Sequence, residues 1–292
     1  MKRWKTNGLH ALLAAALLFF AACGNSQRQG EKEQVAPLMT ANSPETTASE
    51  APAPQQSDAR KYELPARMQH VSELILHRKG YTVSYNKDTK CPNWVAWHLT
   101  KAHTYGKVQR QEQLFTEDKD VPEPRATDDD YFRSAYDRGH MCPAGDNKWD
   151  EKAMEESFLL SNICPQNHNL NKYEWNDVEI LCRAWAREYG SVDIVCGPVF
   201  NSEKARYTRR GGVRVPDAFF KVVLCRQSGA KAIGFLFENK GSKVNIYDRI
   251  RSVDEIEKIT GINFFPALDD PTEQEVEASS DIRKWKPSRV MR

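Results

Sequence analysis

Three short apolar runs constrain the fold of this chain more than any other feature. Residues 192–196, 219–225 and 233–237 are rich in β-branched and aromatic side chains and contain few polar positions. Such runs are typical of central strands that are covered on both faces of a sheet. Because helical patterns are interspersed with the strands, the sequence predicts a mixed α/β sandwich around a central sheet.

Further strands and helices are predicted around these runs. Apolar and polar residues alternate at 81–85 and in part at 94–99, which indicates two more strands. A helix is predicted over residues 171–189. Another helix should begin at Ser252, because Glu255 completes a capping-box pattern with it.

The chain divides by composition into four parts. Basic residues and an apolar run at 11–22, too short to span a membrane comfortably, precede Cys23. This arrangement predicts a lipoprotein-type signal peptide that ends at a lipidated Cys23, with ordinary secretory cleavage nearby as the alternative. Residues 24–60 lack Phe, Tyr and Trp and are predicted to be a disordered tether. The predicted parts are a signal peptide (1–23), a tether (24–60), a globular domain (61–270) and a C-terminal tail (271–292).

These features predict a protein exported from a bacterial cytoplasm and lipid-anchored to a membrane, on a periplasmic or cell-surface face that the sequence leaves open. The chain has seven cysteines. If Cys23 carries lipid, six remain, and an oxidising compartment permits disulfides whose pairing stays open. Buried thiols are the alternative, because a domain of about 210 residues can be stable without cross-links.

Two segments carry the chemistry. Asp137-Arg138-Gly139-His140 is followed by Ser161-Asn162-Ile163-Cys164-Pro165-Gln166, then by Leu170-Asn171 and by Glu179. These segments bring together a titratable base, a guanidinium, a neutral amide and a carboxylate. Hydrolysis of a phosphodiester requires a group that deprotonates water, a ligand for a metal ion and a cation for the developing charge.

At these residues the chain resembles the DNA/RNA non-specific endonuclease family, that of Serratia nuclease and endonuclease G. The shared pattern is D-R-G-H, then S-N-[IV]-x-P-Q-x-x-x-L-N-x-x-x-W-x-x-[LV]-E, and weaker likeness extends over residues 81–268. The resemblance implies a largely antiparallel central sheet and a ββα-metal finger that carries the active site. His140 would lie on the first strand of this finger, with the second strand near residues 158–161 and the helix after it. The implied cofactor is Mg²⁺, with Mn²⁺ as a possible substitute.

His140 and Asn171 are the main candidates within this pattern. An imidazole has a pKa near 6.5, so a neutral His140 is available as a general base; a structural histidine is the alternative. Asn171 would be a weak metal ligand alone, and its simpler role is hydrogen bonding near a helix start. Mg²⁺ often keeps several waters and uses few protein ligands, however, and the resemblance assigns the metal to Asn171.

The other candidates would assist these two. Arg138 would bind the scissile phosphate, with a structural salt bridge as its alternative. Glu179 would face the water shell of the metal or brace Asn171. Asp137 and Asn162 would support the site, and Arg110 is the candidate for an additional substrate-binding arginine. The acidic run at 128–130 is predicted to be a solvated loop.

The sequence therefore predicts an exported, Mg²⁺-dependent endonuclease that hydrolyses phosphodiester bonds of DNA and RNA with little sequence specificity. Its partners would be the nucleic-acid backbone and a membrane reached through the lipid anchor; a dimer is possible. The net charge of +2 neither supports nor excludes this, because only local positive potential is needed. The alternative is a catalytically inactive lipoprotein that uses the same fold to bind nucleic acid or a protein partner. An intact His140 favours the enzyme, since binding needs no base.

Overall fold

The computed structural model describes residues 62–110, 114–201, 203, 205–208, 212–227, 229–241 and 245–286, and the statements below concern these residues. The predicted signal peptide, tether and Cys23 lie outside them. The strands are β1 (Leu74–His77), β2 (Thr82–Asn86), β3 (Cys91–Thr100), β4 (Asp137–His140), β5 (Ile163–Gln166), β6 (Ser191–Val199), β7 (Ala218–Cys225), β8 (Lys231–Glu238) and β9 (Ile250–Arg251).

The central sheet contains seven of these strands in the order β1-β2-β3-β6-β7-β8-β9, and every neighbouring pair is antiparallel. Strands β4 and β5 form a separate antiparallel pair. The three apolar runs form the adjacent strands β6, β7 and β8. The predicted antiparallel sheet is thus confirmed, and its most apolar strands lie side by side, as expected for strands covered on both faces.

Helices cover both faces of the sheet. They are α1 (Asp128–Tyr131), α2 (Glu151–Glu156), α3 (His168–Leu170), α4 (Asn176–Tyr189), α5 (Val253–Thr260) and α6 (Asp270–Glu277). Helix α4 and the β4–β5 pair contribute to one apolar cluster, and α5 and α6 contribute to a second cluster. Alternate residues of β7 supply both clusters, since Phe219 and Val223 belong to the first and Phe220 and Val222 to the second. The predicted αβα sandwich is therefore confirmed.

The capping pattern predicted for α5 is present. The Ser252 hydroxyl accepts from the Glu255 N–H at 3.1 Å, and the Glu255 carboxylate accepts from the Ser252 N–H at 2.8 Å. Gly261 ends the helix in the left-handed region, with φ of 70°. Both ends of α5 thus have their exposed backbone groups satisfied by local sequence.

Two local predictions differ from the structure. The second strand of the finger is β5 at Ile163–Gln166, whereas residues 158–161 lie just before it and include the start of a 3₁₀ turn. The acidic run at 128–130 forms helix α1 instead of a solvated loop. Thr127 and Asp130 make a capping box there, and Asp130 is buried with Lys90 3.4 Å away. The charge of residues 128–130 suggested a solvated loop. A capping box and an ion pair make the segment helical instead.

The segment after residue 270, predicted to be a peripheral tail, packs onto the domain as far as it is described. It begins in α6, and Trp285 lies in the first apolar cluster with its ring centroid 4.3 Å from that of Trp185. The contact between these two buried indoles stabilises the packing of a segment whose other residues are mostly polar. In the structure the six cysteines after Cys23 are all buried free thiols, the arrangement given above as the alternative to disulfides.

Candidate active site

The β4–β5 pair places His140 at the end of a strand. Its register sets Gly139 opposite Cys164 and His140 opposite Ile163. A side chain at position 139 would collide with Gln166, because an added Cβ would lie 2.6 Å from the Gln166 Cβ. Glycine at 139 therefore lets the two strands approach closely enough to fix the position of His140.

Asn162 fastens the segment that follows His140. Its fully buried amide donates to the backbone carbonyls of Cys142 at 2.9 Å and Ser157 at 2.8 Å. Its Oδ1 atom accepts from the N–H of Cys142 at 2.9 Å. Asn162 is thus a structural brace beneath the site, and its buried polar groups are satisfied by three hydrogen bonds.

The His140 imidazole lies in an apolar environment. It contacts Phe115 and Phe158, with ring centroids 5.3 Å and 4.9 Å away. Its Nε2 atom is buried and has no hydrogen-bond partner among the described residues. Burial first, and the nearby Arg110 cation second, lower the pKa of His140 to about 3. The imidazole is therefore neutral near pH 7 and able to accept a proton.

Asn171 is held in one orientation by Asp137. The Asn171 Nδ2 atom donates to Asp137 Oδ2 at 2.9 Å, and the same carboxylate oxygen lies 3.0 Å from His168 Nδ1. Because the amide nitrogen points to Asp137, the amide oxygen Oδ1 is directed away from that carboxylate. An oxygen presented in this way suits a hard divalent cation.

A π-helical turn, Asn171–Trp175, separates α3 from α4 and changes which residues share a face. The spacing of four predicts that Asn171, Trp175 and Glu179 lie on one broad face. In the structure Asn171 and Glu179 line the same cleft, whereas Trp175 is buried and Asn176 lines the cleft instead. The turn of wider pitch accounts for this change, since it inserts an extra residue into the helical period.

The guanidinium of Arg138 is held in place before any substrate binds. It forms an ion pair of 2.5 Å with Asp128 of α1 and lies over the rings of Tyr131 and Phe115, 5.4 Å and 5.7 Å from their centroids. The alternative considered for Arg138, a structural salt bridge, therefore exists in the molecule. The same arginine also lines the cleft, so it is available to a bound anion there.

These side chains meet in one cleft of about 430 Å³. The cleft is lined by the predicted residues His140, Asn171, Arg138, Glu179 and Arg110. The structure thus brings the candidate Arg110 to the site from a segment 28 residues before Arg138 in the chain. Burial raises the pKa of Glu179 to about 7, an effect that Lys221 and Arg183 partly oppose.

Three cleft residues with polar or charged side chains were not singled out from sequence: Lys172, Asn176 and Arg183. Arg183 donates to the buried Asp146 at 2.7 Å, and the indole of Trp97 donates to the other oxygen of that carboxylate at 3.0 Å. The signal for Arg183 was its position one helical turn after Glu179, on the same face of α4. Asp146 could not be found this way, because its partners are distant in sequence.

Comparison with known proteins gives the family of the chain. The family model "DNA/RNA non-specific endonuclease" matches residues 57–271. The mitochondrial nuclease EXOG of Xenopus laevis is 34% identical over 234 residues, which are 74% of this chain and 64% of the relative. Mitochondrial endonuclease G of Homo sapiens is 30% identical over 222 residues, 71% of this chain and 73% of the relative. The chain belongs to the DNA/RNA non-specific endonuclease family.

A solved structure supports the same fold. A chain from the crystal structure of an EndoG/EndoGI complex superimposes with a TM-score of 0.67 and 26% sequence identity, covering 72% of this chain and 91% of that chain. The match to the frog relative spans less than two thirds of that protein's length. The fold and the family are therefore shared, while the relatives contain further sequence outside the match.

The predicted location is wrong. Relatives that the chain matches in Xenopus laevis, Homo sapiens and Saccharomyces cerevisiae are named as mitochondrial nucleases, not as bacterial proteins that are exported and lipid-anchored. A basic segment followed by an apolar run indicates targeting, but its composition alone is a poor guide to destination. Among the residues that the structure describes, no helix has the length and apolar character needed to cross a membrane.

Proposed function

We propose that this protein is a metal-dependent endonuclease that hydrolyses phosphodiester bonds of DNA and RNA. The observation that carries the proposal is the meeting of a neutral imidazole, an oriented amide oxygen, a carboxylate and several guanidinium groups in one cleft. The cleft residues lie between positions 110 and 183, so we assign the activity to the predicted domain of residues 61–270. Trp285 lies after the predicted end of this domain at residue 270, but it packs in the first apolar cluster together with helix α4.

The donor set of the cleft fits a hard divalent ion, and we propose Mg²⁺, with Mn²⁺ as a substitute. Asn171 would hold it through Oδ1, the oxygen left available by the hydrogen bond of Nδ2 to Asp137. Glu179 would add negative charge to the same cleft. When bound, the ion would stabilise negative charge on the phosphate and the leaving oxygen. Few protein ligands are needed, since Mg²⁺ retains water readily.

We propose His140 as the general base. Its neutral imidazole would take the proton of the attacking water at the ring nitrogen that faces the cleft, because Nε2 is buried. A pKa of about 3 describes the substrate-free cleft. The negative charge of a bound phosphodiester raises the basicity of a nearby imidazole, which increases its ability to accept the proton when substrate is in place.

Arginine side chains would bind the phosphate rather than the bases. Arg138 and Arg110 line the cleft beside His140, and both carry guanidinium groups suited to phosphate oxygens. Contacts to the sugar-phosphate backbone position a nucleic acid without reading its sequence. This is the basis for proposing little sequence specificity and action on both DNA and RNA.

Cleavage of supercoiled plasmid and of a structured RNA tests the proposal. Purified protein should nick both substrates with Mg²⁺, should lose activity in excess EDTA, and should recover it when Mg²⁺ or Mn²⁺ is restored. His140→Ala is the matched control against a contaminating nuclease. Binding without cleavage by the wild-type protein in Mg²⁺ would identify the inactive binding module instead, and full activity in EDTA would reject the metal.

A further inference from the structure

A lysine is buried beneath the site, in the middle of the central sheet. Lys221 of β7 is completely buried, and its Nζ atom has no hydrogen-bond partner among the residues that the structure describes. The ammonium lies 4.2 Å from the ring centroid of Trp175 and 5.1 Å from that of Trp97. Burial favours the neutral amine, but the nearby Cys196, Glu179, Cys182 and Asp146 outweigh burial and raise the pKa of Lys221, so the side chain is a cation.

Two neighbours of Lys221 hold consecutive backbone carbonyls of the catalytic segment. The indole Nε1 of Trp175 donates to the carbonyl of His140 at 3.1 Å. Cys196, directly opposite Lys221 in the β6–β7 register, donates from Sγ to the carbonyl of Met141 at 3.3 Å. Burial raises the pKa of the Cys196 thiol to about 11, so it keeps the proton that it donates.

The position of the ammonium favours these hydrogen bonds. A cation over an indole draws electron density toward the ring face, which makes the N–H a stronger donor. The same charge is fixed against Trp175 and Cys196, because Lys221 belongs to a central strand with strands paired on both sides. The two donors would therefore be locked in orientation toward the strand that ends at His140.

We propose that Lys221 is a positioning residue for catalysis, acting through Trp175 and Cys196 on the backbone that carries His140. The proposal rests on the proposed function, since it treats His140 as the base. Lys221 does not line the cleft and would touch neither substrate nor metal. Its contribution would be to hold the imidazole where it can reach the attacking water, and small displacements of a catalytic group reduce rates strongly.

The principal test is Lys221→Met, which keeps the length of the side chain and removes the charge. We expect kcat to fall on the order of tenfold while KM changes little, because the substrate contacts remain. Glu179 and Asp146 face the same charge, so the pH profile of kcat is compared as well, and a shift of that profile would assign the loss to Glu179 and overturn the positioning role. A merely structural lysine would instead lower stability and leave kcat per folded molecule unchanged.

Lys231→Met is the matched control. Lys231 of β8 is also buried against two aromatic rings, 3.9 Å from the centroid of Tyr189 and 5.4 Å from that of Trp285, and it is not among the residues that line the cleft. Its substitution should leave kcat unchanged. An equal loss of kcat in both variants would overturn the proposal, because it would show a general effect of removing buried lysines.

Trp175→Phe and Cys196→Ala test the two connections separately and retain Lys221. Each should lower kcat with KM preserved, and Lys221→Met combined with Trp175→Phe should lose less than the product of the single effects. If Lys221→Met fails to fold, unchanged kcat in both of these variants overturns the proposal, and a loss in either supports it.

A measurement that does not depend on nuclease activity tests the role of Lys221 independently of the proposed function. The indole N–H resonance of Trp175 in a ¹⁵N–¹H spectrum should move upfield in Lys221→Met, because the hydrogen bond to His140 weakens. An unmoved resonance in the folded variant overturns the positioning role even if the wild-type protein is an active nuclease. A moved resonance in a protein without nuclease activity would support the connection while the proposed function fails.

Discussion

The two faces of the central sheet differ in what they bury. The face toward α5 and α6 buries mainly aliphatic and aromatic side chains, such as Phe220 and Phe264 with ring centroids 5.4 Å apart. Its buried Asp193 pairs with His98 and Arg226, neither of which lines the cleft. The face toward α4 also buries Lys221 and Asp146 among its apolar residues. Buried ionised groups contribute little net stability, whereas apolar burial contributes most of it. The comparison suggests that one face stabilises the domain and the other positions the chemistry.

The largest expected effect is on stability, from the face away from the site. Phe264→Ala should lower the free energy of unfolding by about 3–5 kcal/mol, through lost burial and an unfilled cavity. The kcat of the folded fraction should not change. Urea denaturation measures the free energy of unfolding. Kinetics at temperatures below the unfolding transition, normalised to the concentration of active sites, measure kcat. A loss of kcat in the folded fraction would contradict the assignment of stability to one face and of catalysis to the other.

His140→Ala should give the opposite pattern. Removal of a general base should reduce kcat on the order of 10²-fold or more, about 2.7 kcal/mol of transition-state stabilisation. The free energy of unfolding should change by less than about 1.5 kcal/mol, since Nε2 makes no hydrogen bond to the described part of the chain that the variant would lose. Near-normal turnover in the folded variant would remove His140 from the mechanism.

Asn171→Ala should act mainly on the metal. Loss of Oδ1 should raise the Mg²⁺ concentration required for half-maximal activity by about tenfold, comparable to the loss of a group that orients a metal ligand. Asn169→Ala is the matched control, because that amide lies two residues earlier and outside the cleft. Equal metal requirements in wild type and Asn171→Ala would assign the metal to other residues.

The smallest expected effect is the pH dependence of the Mg²⁺ requirement, which tests the role of the Glu179 carboxyl. The pKa of Glu179 is raised to about 7, so in the metal-free protein this carboxyl gains a proton as the pH falls below about 7. A neutral carboxyl attracts a cation less, and the Mg²⁺ requirement should therefore increase from pH 8 to pH 6. Glu179→Gln should remove this dependence, which metal titrations at both pH values would show.

The sequence predicted the sandwich because its signals are local. Apolar runs mark β6, β7 and β8, and the pair Ser252 and Glu255 marks the start of α5. Arg110 reaches the cleft through tertiary packing, which spacing alone does not reveal, whereas Arg183 lies one helical turn after Glu179 and could have been found from spacing. Lys221 is the clearest example, because a lysine within an apolar run gives no sign of the Trp175 and Trp97 rings that surround it.

The π-helical turn at Asn171–Trp175 has a consequence for how this gene can fail. Deletion of one codon within the turn would allow an uninterrupted α-helix from α3 into α4. The residues before the deletion would then rotate by about 100° relative to those after it, the angle of one residue in an α-helix. Asn171 and Glu179 would no longer share the cleft, although the hydrophobic side of α4 would stay in register. An in-frame deletion of three nucleotides would thus remove Asn171 from the cleft and displace the buried Leu170 before the turn, while the residues of α4 keep their contacts with the sheet.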